Sequence, residues 1–170
     1  MPKSLPKIAP ENESFPPAEA QNPLLRRAFE LWSTLRGQRR FPRRGEVTPR
    51  NMAEFLRNTV LVRVVDGGKD FQFRIVGDAI VQVQGDSFQG MTTAEIDERI
   101  PGYGAMLCSV YREICARGEP LAYRGWFVQP HTKMAFFHES IILPIGPDDA
   151  TVDHILIVGV YAFEAKRPTR

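Results

Sequence analysis

Apolar positions follow helical spacing in two long stretches of the chain and strand-like spacing in five others. Leu24, Leu25, Ala28, Leu31, Trp32 and Leu35 fall on one stripe of a helix, because residues three and four apart share a face. Asn22 stands at its N-cap, Pro23 suits the first helical position, and Gly37 ends it. Met106, Leu107, Val110, Tyr111 and Ile114 mark a second amphipathic helix, stopped by Gly118. The run "TPRNMAEFLRN" predicts a shorter helix, with Thr48 as N-cap and Met52, Phe55 and Leu56 as its apolar side. Thr92 and Glu95 have the spacing of a capping box. "DAIVQVQG" fits either a strand, by its β-branched content, or one or two helical turns.

The strand-like runs are "TVLVRVVD" and "DFQFRIVG", joined by a glycine turn as a hairpin, then "LAYRGWFVQ", "KMAFFHESIILPI" and "DHILIVGVYAFE". The last is nearly all apolar, which suits a central strand covered on both faces. Two strands, a helical crossover and three strands make an α+β domain with one antiparallel sheet. The crossover packs on one face, and the opposite face is available to the N-terminal helix. The organisation expected is a flexible tail over residues 1–21, which hold five prolines, and a helical extension over 22–58. A core over 59–164 and a loose end over 165–170 complete it.

Composition adds limits. Of 170 residues, 43% are hydrophobic and 25% charged, as in an ordinary soluble globular domain. No apolar run approaches the roughly 20 residues that span a bilayer, so membrane insertion is not expected. The first residues lack the apolar region of a secretory signal, which points to the cytoplasm. Cys108 and Cys115 lie seven apart on one helix face, about 10 Å from each other, too far for a disulfide. The net charge of +2 hides a cluster. Between Leu24 and Arg50 stand eight arginines against Glu30 and Glu46. Aromatic residues are not interleaved for base stacking, so carboxylate pairing is favoured over nucleic-acid binding.

The stretch "FRIVGDAIVQVQGDSFQGMTTAEI" carries glycines at 77, 85 and 90. It has neither the Gly-Lys-Ser/Thr end of a phosphate loop nor a G-x-G-x-x-G fingerprint. It resembles the part of a PAS domain where the second strand feeds short helices, with Gly85 and Gly90 at the glycine pair. Upstream, "W…LRG…RRFPRRGEVTP", with Trp32, Leu35, Arg36, Gly37, Pro42, Arg44 and Pro49, resembles small bacterial PAS-like proteins. The resemblance implies a five-stranded sheet of order 2-1-5-4-3 over Thr59 to Glu164, with the N-terminal helix outside the core. It implies a non-catalytic sensory module that binds a small molecule or a signalling protein and acts by conformational change. It also implies a homodimer contact or packing role for Leu24, Trp32 and Leu35. The cofactor stays unknown. The long helix has no histidine for a haem, and Cys108 and Cys115 lack the "N-C-R-F-L" context of flavin photosensors.

Candidate chemistry is sparse. His131, His138 and His154 lie on different elements without zinc-ligand spacing, so no metal site is expected. His138 and His154 are expected as cross-strand neighbours. In "HES", His138 and Ser140 share a strand face and Glu139 points away, which defeats a convergent triad. Arg74 is a charge between apolar neighbours, either an anion handle or a salt-bridge partner of Asp97 or Glu139. Arg74, Trp126 and His138 are the pocket candidates. Two rival readings remain: a cone-shaped α+β isomerase using Asp78 or His138, and a basic nucleic-acid adaptor using Arg36 to Arg50.

Overall fold

The computed structural model describes residues 12–164. Its strands are β1 (Glu13–Phe15), β2 (Thr59–Val65), β3 (Asp70–Val76), β4 (Leu121–Val128), β5 (Ala135–Ile145) and β6 (His154–Glu164). Its α-helices are α1 (Pro23–Arg36), α2 (Asp78–Gln84), α3 (Thr93–Arg99) and α4 (Tyr103–Arg117). One antiparallel sheet runs β1-β4-β5-β6-β2-β3. Without β1, and read from β3, this is the expected 2-1-5-4-3 order, and β6 lies in the sheet's middle as its apolar sequence requires.

Alternation along β5 fixes what covers each face. Ser140 and His138 face the crossover helices, where α4 brings Met106, Leu107 and Val110. Glu139, between them, faces the other way and accepts hydrogen bonds from the amides of Gln21 (2.7 Å) and Asn22 (3.0 Å) just ahead of α1. The sheet is therefore sandwiched between α1 and the α2–α4 crossover. Asn22 caps α1 through its side chain, which accepts from the amide of Leu24. Leu25, Ala28 and Trp32 are buried, and the Trp32 indole donates to the Pro144 carbonyl at 2.8 Å. Leu24 and Leu35 pack half-buried at the margin of the same core. The apolar stripe of α1 thus lies on its own sheet, and packing accounts for it without a second copy.

The structure corrects three expectations. Part of the expected tail is ordered: residues 13–15 pair with β4, and Pro17 and Ala20 are buried. The rest of that tail, residues 1–11, and the expected loose end, 165–170, lie outside the described residues. The helix expected over 48–58 is a chain of tight turns ending in a 3-10 turn at Leu56–Asn58. There Asn51 and Thr48 exchange side-chain bonds with each other's amides, and Asn51 also donates to the Glu46 carbonyl. These reciprocal bonds form a capping box, and the Met52 amide donates to the Thr48 carbonyl as in a first helical turn; the bonds that follow, Phe55 to Met52 and Asn58 to Phe55, span three residues, so the chain tightens into turns instead of an α-helix. Finally, His138 pairs with Tyr161 and His154 with Ile145, so the two histidines are not neighbours.

The ambiguous "DAIVQVQG" is helix α2, ended by Gly85 in the left-handed region at φ +77°. Gly77 is required for another reason, since a Cβ there would sit 2.2 Å from the Arg57 carbonyl oxygen.

Candidate functional site

Between the sheet and the crossover helices lies a cavity of about 270 Å³. β4, β5 and β6 supply Tyr123, Phe127, His138, Ser140 and Tyr161, and α4 supplies Tyr103, Met106, Val110 and Tyr111. Phe73 and Gln84 close the β3 and α2 side, and Asn12 reaches in from the β1 edge. Gly159, opposite Ser140 in the sheet, leaves the room; a Cβ there would lie 2.8 Å from Ser140 Oγ and 2.9 Å from the Tyr161 ring.

The walls are aromatic and in contact with one another. Tyr103 packs against both Phe88 and Phe127, Phe127 meets Tyr161 edge-on, and Phe73 leans on Tyr111. Such pairs add about 0.5–1.5 kcal/mol each beyond burial and hold the walls in place. His138 stacks on Tyr161 with centroids 5.3 Å apart and shares a hydrogen bond with Ser140 Oγ through Nδ1 (3.1 Å). Burial lowers the His138 pKa to about 4, so the ring is neutral at physiological pH. Burial likewise raises Tyr103, Tyr111 and Tyr161, and holds Tyr123 up at about 12. No Asp, Glu, Lys or Arg is among the described residues lining the cavity.

Two polar atoms at this site stand out. Gln84 donates through Nε2 to the Tyr103 hydroxyl (3.3 Å), but its Oε1 is buried without a partner among the described residues. The buried hydroxyl of Tyr123 is likewise without one. An unmade hydrogen bond of this kind costs about 1–3 kcal/mol, so such atoms are uncommon in folded proteins.

The sequence-derived candidates fall out unequally. His138 lies in the cavity wall. Trp126 borders the cavity at the β1 edge, but its ring packs edge-on against Phe137, which alternation puts on the face opposite His138. Arg74 is on the exposed outer side of β3 and, among the described residues, its side chain hydrogen-bonds only to Gln72 Oε1, at 3.5 Å. It contacts neither Asp97 nor Glu139, and it lines no part of the cavity. Phe73 faces inward, so Arg74, its neighbour on an extended strand, faces outward. Asp78 is at the surface, paired with Arg57 at 2.9 Å. Sequence reasoning missed Gln84, Tyr103, Tyr123 and Tyr161. Tyr123 could have been found from Ser140, its partner across β4 and β5, once the register was known.

On the opposite face the N-terminal segment is latched. Glu139 is buried at 8% exposure and receives Arg124 on Oε2 (3.0 Å), besides the amides of Gln21 and Asn22 on Oε1. Arg124 lies over the Phe15 ring of β1 at 4.0 Å and reaches Glu13. Asn12 accepts from the Trp126 amide (2.8 Å) with its side chain against Gly125, where a Cβ would be 1.8 Å from its Oδ1. One strap, residues 12–22, is thereby joined to the cavity wall through Asn12 and to β5 through Glu139.

The arginine cluster is mostly spent on the fold. Arg39 donates to the Leu35 carbonyl and pairs with Glu46; Arg40 donates to the Arg117 carbonyl; Arg43 donates to the Gly146 carbonyl; Arg44 donates to the Val47 carbonyl. Arg27 pairs with Glu54. These bonds pin the irregular segment between α1 and β2.

A family model described as "PAS domain" matches residues 20–161, a stretch that includes α1, strands β2 to β5 and most of β6. No curated protein matches the chain. Among solved structures, the chain is similar to one described as the structure of an RNA-binding light-oxygen-voltage receptor, at 13% identity and a TM-score of 0.46. That similarity covers 88% of this chain and 38% of the other, so the chain spans well under half of that receptor's length.

Proposed function

This chain belongs to the PAS domain family, and from that premise we propose that it is a non-catalytic sensor whose input site is the aromatic cavity. The observation that carries the reading is the cavity itself: about 270 Å³, inside the fold, walled by uncharged residues. Ligand sites run to about 300–1,000 Å³ and are mostly apolar with few polar groups, so a compact molecule fits the space. The output is the strap. β5 carries the cavity's His138 and Ser140 on one face and the strap's Glu139 on the other. A ligand with different affinity for the latched and released strap shifts the balance between them. A signalling protein partner would read that balance from the strap and α1, in a reducing cytoplasm compatible with the free thiols of Cys108 and Cys115.

Two features weigh against the rivals. A cone-shaped isomerase needs an Asp or His inside the cavity; Asp78 is outside, and His138 is inside but bonded to Ser140 and stacked on Tyr161. A nucleic-acid adaptor needs free cations, and the bonds of Arg39, Arg40, Arg43 and Arg44 go to backbone carbonyls and carboxylates.

The test is native mass spectrometry of the purified protein beside the cavity-filling variant Val110→Phe. The reading expects a retained or added small molecule in the wild type that the variant loses. Equal loading of both proteins would move the input site elsewhere.

A further inference from the structure

We propose that Arg63 and Arg74 form a docking point for an acidic segment of the signalling partner, on the face of the sheet that carries α1. The inference rests on the reading of a partner at that face and adds the partner's chemistry.

Three observations combine. The first is placement. Arg63 on β2 stands opposite Gln72 on β3. Phe73, the next residue, lines the cavity, so Gln72 and Arg63 lie on the other face of the sheet, with α1. Arg74 has no register partner on β2: Leu61 stands opposite Ile75 and Val62 opposite Phe73. Such a bulge re-aims a side chain. Here it brings Arg74 to Gln72 and so to Arg63, and both arginines are exposed.

The second is a shared acceptor. Arg63 Nη2 donates to Gln72 Oε1 at 3.2 Å, and Arg74 Nη1 donates to the same oxygen at 3.5 Å. Gln72 Nε2 donates to the Gly90 carbonyl (3.2 Å), which turns the amide oxygen towards the guanidinium groups. A single oxygen is thus in reach of both cations, and it carries no charge. A carboxylate brings two acceptor oxygens and the missing charge, and its bonds to arginine are shorter and about twice as strong as neutral ones.

The third is the lack of neutralisation. Among the described residues neither Arg63 nor Arg74 forms an ion pair or bonds a backbone carbonyl. Every other described arginine except Arg50 does one or the other. Like charges on adjacent strands repel, so the fold gains nothing from bringing these two together. The cluster is small, and Asp153 adjoins His154, the β6 partner of Arg63. Binding to a phosphate backbone grows with the number of phosphates neutralised, so two cations beside an aspartate suit side-chain carboxylates better than nucleic acid.

The experiment is a chemical-shift titration of the whole protein that reads the arginine Nε–Hε signals. The probes are hexaglutamate blocked at both ends, hexaglutamine blocked in the same way, and a random-sequence DNA duplex. Hexaglutamate should shift Arg63 and Arg74 saturably, hexaglutamine should not, and added salt should weaken the effect. Arg63→Gln and Arg74→Gln should each weaken hexaglutamate at least fivefold. Arg50→Gln, at an exposed arginine that shares no acceptor with another, should leave it unchanged. Because Arg63 and Arg74 pair with no carboxylate, both variants should melt no lower than wild type, which separates lost binding from lost folding.

No shift at Arg63 and Arg74, or equal weakening by Arg50→Gln, would overturn the docking point. Tighter binding of the duplex at the same two residues would overturn the acidic partner in favour of nucleic acid. The cavity reading fails separately: an empty cavity with hexaglutamate bound at Arg63 and Arg74 removes the input site and leaves the docking point.

Discussion

His138 and Glu139 are adjacent on β5 and serve opposite faces of the sheet: His138 walls the cavity, and Glu139 holds the amides of Gln21 and Asn22 beneath α1. The pleat separates their side chains while the backbone joins them. A displacement of β5 at His138 is therefore also a displacement of the strap's anchor.

Removing that anchor should be costly and local. Glu139 is buried and satisfies two amides and Arg124. Breaking one side of a buried pair costs about 3–5 kcal/mol. Arg124 keeps Glu13 and some solvent, so Glu139→Ala should lose about 3 kcal/mol, at the lower end of that range. Urea unfolding measures it. Hydrogen exchange should speed up first in residues 12–22; uniform acceleration along the chain would contradict the latch.

Stability should depend on His138 between its two pKa values. The unfolded ring titrates near 6.5 and the folded ring near 4. Above 6.5 both states are neutral. As the pH falls from 6.5 towards 4, only the unfolded state takes up the proton, so stability declines across that window. At about 1.4 kcal/mol per pH unit the loss is at most about 3 kcal/mol. His138→Gln should flatten this part of the pH profile relative to wild type, as read by unfolding midpoints at several pH values. An equally steep decline in the variant would assign the effect to other groups.

Trp32 anchors α1. Its side chain is buried, and its indole donates to the Pro144 carbonyl. Trp32→Ala should cost about 3–5 kcal/mol, the range for deleting a large buried aromatic side chain. An unchanged urea midpoint would mean that α1 is not docked in solution.

Gly125→Ala tests the strap from the β4 side. The new methyl would sit on Asn12 Oδ1, which accepts from the Trp126 amide. Asn12 must leave, so amide exchange at Trp126 should rise with little change at Leu121. Unchanged protection at Trp126 would show that the strap yields without losing its contact.

Much of this architecture was legible because periodicity survives in the sequence. The α1 stripe, the β2–β3 hairpin, α4 with its Gly118 stop, and the opposed faces of His138 and Glu139 all follow from spacings of three to four or of two. β1 was not legible. Three residues beside prolines carry no alternation, and they pair through backbone bonds that any side chain allows. The helix expected over 48–58 starts at its Thr48 cap but continues in three-residue turns, and Met52 and Phe55 are buried as its apolar pattern required. At the site, His138 lies in the cavity wall, whereas Arg74, a charge among apolar residues, takes the strand's outward position. Gln84 and Tyr123 line one cavity only through tertiary structure, from elements far apart in sequence, and their missing partners leave no trace in residue order.

The central claim is that cavity occupancy reaches the strap. Amide exchange of residues 13–22 should be measured by mass spectrometry with and without a saturating amount of the small molecule that native mass spectrometry finds on the wild type, in wild type and in Val110→Phe. The account predicts a ligand-dependent change in strap exchange in the wild type and none in the variant. Saturation of the cavity with strap exchange unaltered would contradict it.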